Sequence, residues 1–248
     1  MPYDEQGNFH WSPEEAMDVY ADMRTGNELA PPPPGNRRPA LLDILGRYYF
    51  DPNQLIFAET STSPVYIPFD EPSIGPLLIT GPAGSGKTEL LQVFAKSVNL
   101  CHPASSVKFC ILTNQPKEWE SVENMPHNLG IFPLYSNSSQ ELVLSLASHA
   151  HGAKADPETV LLLLDDLEAA VNGDNALDFE ARQNLRWLLL RGPARRVWPA
   201  TTYDMANAHE MRPWLDAFKT HLVSKDTLRF ALKNPTGESE AFYVPRLT

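Results

Sequence analysis

The chain of 248 residues holds only two cysteines, Cys101 and Cys110, too few for a disulfide framework or, between them, a zinc site. Long apolar runs are missing as well. None approaches the ~20 residues that a bilayer span needs, so no membrane-spanning segment is expected. The opening MPYDEQ has neither the basic nor the apolar region of a secretory leader. Basic residues are in deficit: 20 Lys and Arg stand against 31 Asp and Glu, a formal net charge of −11. That field repels phosphate backbones and excludes a protein that coats nucleic acid nonspecifically, leaving only local contacts such as basic loops lining a pore. No internal repeat is present. Together these absences predict a cytoplasmic protein.

The 42% hydrophobic and 21% charged fractions are those of an ordinary globular chain, long enough for one sizeable core. The sequence divides at about residue 38. In the 1–38 arm, Ser12 is a candidate N-cap, Pro13 fits the first helical turn and Glu15 completes a capping box, predicting a helix over 12–23. Four prolines at 31–34 then form a stiff polyproline II spacer. The arm reads as a tethered helix that docks on the core or on a partner protein. Residues 39–248 form the main domain.

The most specific pattern is GPAGSGKT at 81–88: Gly81, Pro82, Ala83, Gly84, Ser85, Gly86, Lys87 and Thr88. It has the form G-x-x-x-x-G-K-[ST], in which glycines let backbone N–H groups turn inward as a nest for phosphate oxygens. Lys87 would meet the β- and γ-phosphates, and the Thr88 hydroxyl would sit on Mg²⁺. An apolar strand over 76–80 precedes the loop. A helix over 89–98, opening on Glu89, follows it with its positive dipole end toward the phosphates. ATP and Mg²⁺ are the cofactors this pattern calls for.

Further strands are expected over 107–112, 131–135, 160–164 and 197–201, and helices over 140–151 and 176–190, with closing strands over 220–223, 228–232 and 241–244. Continuous apolar strands alternating with helices predict an α/β fold whose mainly parallel sheet is covered on both faces. The run VLLLLDD at 160–166 has the form of a buried strand ending in carboxylates. Asp165 would emerge at the nucleotide edge and hold Mg²⁺ through a water, and Asp166 would face the attacking water.

Taken in order, LLDILG at 41–46, the phosphate loop, MPH at 125–127, the Asp165–Asp166 pair and an Arg-Gly turn leading to Ala200-Thr201-Thr202 resemble the FtsK/SpoIIIE branch of the HerA/FtsK motor ATPases, including the ATPase modules of type VII secretion systems. The likeness spans about residues 41 to 247. It implies a P-loop NTPase fold of RecA/FtsK type and ring assembly, as a hexamer in this kind of motor. It further implies an arginine that reaches the γ-phosphate of the next subunit, with Arg191, Arg195 and Arg196 as the candidates by position. Three arginines after a helix also complement its negative end, a simpler role. The sequence departs from the family pattern at three places. Asp166 stands where a longer glutamate is usual, with Glu168 near enough to substitute. Thr202 replaces a glutamine, and Gln115 replaces an aspartate. Catalytic roles are therefore expected for Asp166 or Glu168, Thr202 and an arginine, with turnover slowed.

Two functions follow. One is an ATP-hydrolysing subunit of a homo-oligomeric ring that moves DNA or a secreted protein through its pore. The other is a nucleotide-binding regulatory or structural protein that binds ATP without turning it over quickly.

Overall fold

The computed structural model describes residues 38–48, 51–152, 158–204, 208–234, 237–238 and 240–247. The expected helix over 12–23 and the proline spacer lie outside the described residues.

Eight strands make the path of the main sheet. β3 (Leu77–Thr80), β4 (Val107–Thr113), β5 (Asn128–Pro133), β6 (Thr159–Asp165), β7 (Val197–Tyr203) and β8 (Thr220–Asp226) run parallel, and β9 (Arg229–Asn234) returns antiparallel beside β8. With β10 (Gly237–Glu238) the order is β10-β9-β8-β3-β7-β6-β4-β5, and β11 (Phe242–Tyr243) also pairs with β9. The run expected over 220–223 as a closing strand is thus central: β8 lies beside β3.

Side-chain alternation divides the core in two. Leu77, Ile79, Leu161, Leu163, Trp198 and Ala200 pack on one face, while Leu78, Leu162, Leu164, Val197 and Tyr203 pack on the other. Both faces are apolar because both are covered, which is why the strands read as unbroken hydrophobic runs. On the first face lies α2 (Lys87–Cys101), the helix that follows the phosphate loop. A hairpin of β1 (Gln54–Glu59) and β2 (Pro64–Pro68) packs with it, and the ring of Phe57 meets that of Phe94 edge-on at 4.7 Å. This hairpin was not expected from sequence. On the second face lie α4 (Asn137–His151), α6 (Phe179–Arg191) and α7 (Ala208–Leu215). Short helices α1 (Leu41–Leu45), α3 (Glu120–Glu123) and α5 (Leu167–Asn172) complete the set. The helix expected over 176–190 begins later, where the Asp178 carboxylate accepts the Ala181 N–H.

The chain enters the described domain beside its far end. Ala40 bridges in parallel with Arg246, and the Arg38 guanidinium donates to the Val244 and Pro245 carbonyls and to the Glu89 carboxylate at the start of α2. Residue 38 is thereby held beside the start of α2.

Candidate functional site

The strand–loop–helix unit expected at 76–98 is present, with α2 starting at Lys87. Gly84 and Gly86 take φ values of 77° and 94°, a region that only glycine enters readily. At Gly86 a Cβ would also lie 2.3 Å from Leu228 Cδ2, because the turn between β8 and β9 closes over the loop; Leu228 N donates to the Ser85 carbonyl at 2.9 Å. Any residue but glycine at 86 would be strained at this φ and would push the Leu228 side chain aside. The arrangement fits a phosphate tail: backbone freed to curl, and a helix N-terminus behind it.

Strand parity builds the rest of the site. Leu161 and Leu163 face α2, so Asp165 does too; Trp198 and Ala200 face α2, so Thr202 and then Asp204 follow. The Thr88 hydroxyl lies 3.1 Å from each oxygen of the Asp165 carboxylate, to which it donates. Thr202 Oγ1 donates to Asp165 Oδ1 at 2.9 Å and accepts the Asp166 N–H at 2.7 Å. One hydroxyl therefore locks both residues of the Asp-Asp pair at the end of β6. Asp165 is only 8% exposed. Burial raises its pKa against the lowering effect of the Thr202 and Thr88 hydrogen bonds, and the charges of Glu118 and Asp166 push the same way as burial. A buried carboxylate held by two hydroxyls and surrounded by acid is a site that a divalent cation would relieve. Among the described residues no group of three or more His, Cys, Asp or Glu could hold a metal ion by itself. Mg²⁺ characteristically takes one or two protein oxygens and completes its shell with phosphate and water, and Thr88 and Asp165 offer such oxygens.

Asp166 sits at φ 83° and uses its side chain to cap α5, with Oδ1 accepting the Ala169 N–H at 2.9 Å. Partial burial raises its pKa; the cap opposes this, while the neighbouring charges of Asp204 and Glu168 add to it. Glu168 lies in the first turn of α5, two residues from Asp166. Glu89 pairs with Arg38, and a groove of about 450 Å³ opens beside it, lined by Thr88, Glu89, Gln92, Glu118 and Leu247.

The candidate arginines are elsewhere. Arg191 ends α6, Arg195 closes a short 3-10 turn and Arg196 takes φ 63° just before β7. They stand at the start of β7 whereas Thr202 is near its end, a separation of roughly 20 Å at about 3.3 Å per residue. The structure does not bring them to this chain's own phosphate loop.

Asp204 was missed in the sequence. Its carboxylate lies 2.5 Å from Lys87 Nζ, which also donates to the Gly81 and Pro82 carbonyls at 3.0 and 2.9 Å. The available signal was its place two residues after Thr202, on the same strand face.

Sheet order, loop and following helix together make a fold of the P-loop NTPase type. No family model matches the sequence, and no curated protein matches it either. Solved structures do. The cytoplasmic domain of the type VII secretion ATPase EccC of Thermomonospora curvata superposes with a TM-score of 0.67 at 16% identity, over 85% of this chain and 28% of that one. EccC ATPases 2 and 3 from the same organism, in complex with a signal sequence peptide, give 0.65 at 15% identity, over 90% and 46%. The pCW3 conjugation coupling protein TcpA, in a monomer form with ATPγS, gives 0.56 at 12%, over 78% and 67%. The chain thus shares the fold of these domains, and spans less than half the length of either EccC structure. Among the described residues no helix is long and apolar enough to cross a membrane.

Proposed function

We propose that this chain is a cytoplasmic ATP- and Mg²⁺-binding motor module of the FtsK/HerA type, working as a homo-oligomeric ring on DNA or on a secreted protein. The observation that carries the reading is the Thr88–Asp165–Thr202 cluster beneath the phosphate loop, where each partner comes from a different strand–loop unit and all face the same point. When bound, Mg²⁺ neutralises charge on the β- and γ-phosphate oxygens. Thr88 would contact it directly and Asp165 through a water. Loop N–H groups and Lys87 would hold the phosphates, while Asp166 or Glu168 would orient the attacking water. The position of Arg191, Arg195 and Arg196 at the far edge suits an arginine supplied to a neighbouring subunit. The arm over 1–38, entering beside Glu89, would carry partner docking.

A second reading, a nucleotide-binding assembly regulator, is favoured by the tie of Asp166 to the α5 cap and of Thr202 to the Asp pair. Both groups have structural duties that restrict them during turnover. Phosphate release measured with and without DNA or a secretion-signal peptide, alongside mass photometry with and without ATP–Mg²⁺, separates the two. ATP-dependent rings with polymer-stimulated turnover support the motor. Nucleotide-bound monomers without turnover support the regulator.

A further inference from the structure

An ammonium group has three N–H donors and no acceptor. In Lys87 all three have partners: the Gly81 carbonyl, the Pro82 carbonyl and the Asp204 carboxylate. A phosphate oxygen arriving at Lys87 must therefore displace one of them. The two carbonyls belong to the loop, and giving either up means reshaping the backbone that forms the nest. Asp204 is different. It is 53% exposed where Lys87 is 9% exposed, so the carboxylate can swing into water while the ammonium stays. It is the exchangeable partner.

Its placement is set by the sheet. β7 is in parallel register with β3, with Thr202 opposite Ile79 and Tyr203 opposite Thr80, so Asp204 stands level with Gly81, the first residue of the loop. It shares the α2 face with Thr202, and its charge is felt at Asp166. Once displaced, it would remain beside the terminal phosphate as a like charge. We propose that Asp204 competes with the phosphate tail of a nucleotide for Lys87 and so sets the affinity at which the loop fills. This rests on the reading of the loop as a nucleotide site.

The test is titration calorimetry of the full chain with ATP–Mg²⁺ and ADP–Mg²⁺, for wild type, Asp204→Asn and Asp204→Glu, with thermal melting of each variant without ligand. Asp204→Asn keeps the shape and removes the charge, and is expected to tighten ATP binding roughly three- to tenfold. Asp204→Glu, which restores the charge, is expected to stay near wild type. Melting should fall only slightly in Asp204→Asn, whose amide oxygen can still accept from the buried Lys87 ammonium, and should stay near wild type in Asp204→Glu. A residue with a merely structural role would weaken binding and lower the melting temperature instead. If wild type binds ATP and Asp204→Asn binds equally or more weakly, the competition is refuted while the nucleotide site stands. If neither binds ATP at millimolar concentration, both are refuted.

Discussion

In the phosphate loop, every group that would touch a nucleotide comes from eight consecutive residues, and the glycines, lysine and threonine all stand where the pattern requires. The acidic corner facing it is assembled from remote segments, Asp165 from the end of β6 and Thr202 and Asp204 from β7 and the residue after it. The two also differ in how far their groups are free to act. The loop's backbone needs only a ligand, apart from one exchangeable contact on Lys87. The corner's side chains are tied to each other: Thr202 to both aspartates, Asp166 to a helix cap. If the proposed function holds, the difference makes phosphate binding and phosphate cleavage separable in this fold. The first can match the motif fully while the second is tuned at strand ends.

Substitutions break the comparison at different points. Lys87→Ala has the largest expected effect, a fall in ATP affinity of about two orders of magnitude with the fold retained, because it removes the buried cation from a charge-assisted contact. Equal affinity in calorimetry would remove the loop from the account.

Asp165→Asn should act with opposite signs on stability and function. Burial raises the native pKa of Asp165, so the folded chain binds extra protons in the window from the ordinary aspartate value, about 3.9, up to the raised one. Stability from this group is therefore lost as pH rises through that window, and the cost persists at neutral pH. Removing the charge should raise the melting temperature at pH 7, and should abolish any gain from Mg²⁺ with nucleotide. Melting curves at several pH values, with and without ATP–Mg²⁺, check both; a variant that melts lower at pH 7 yet keeps its Mg²⁺ response would contradict the assignment.

The smallest effect sharpens the role of Asp166. Asp166→Ala should cost about 1 kcal/mol through the lost α5 cap. Asp166→Asn, which can still cap and removes a charge whose pKa is raised, should melt no lower than wild type but lose turnover with ATP still bound. Turnover retained in Asp166→Asn and lost in Glu168→Gln would move the water-orienting role to Glu168.

Much of the fold could be read in advance where a local signal sufficed. The run VLLLLD became β6, the Gly-rich turn became the loop, and each of the parallel strands was expected within a few residues. The β1–β2 hairpin escaped because its signal, QLIFAE and PVYIP around a Ser-Thr-Ser turn, is not part of the alternating strand–helix rhythm. The position of β8 escaped because strand order is a tertiary property: nothing local in THLVSKD says that it neighbours β3 rather than ending the sheet. At the site, Thr88 and Asp165 were legible from motif and spacing. Asp204 was not, because an unbroken apolar strand conceals which of its alternating positions faces the loop until its partners are known. The capping role of Asp166 was hidden for a related reason, since α5 starts directly at the strand end and claims the carboxylate that sequence spacing assigned to water.

The most direct test of the central claim is a titration of the full wild-type chain with ATP in the presence and absence of Mg²⁺. The account predicts one ATP per chain, bound more tightly with Mg²⁺ than without it, because Thr88 and Asp165 converge beneath the loop. No binding at millimolar ATP, or binding indifferent to Mg²⁺, would contradict it.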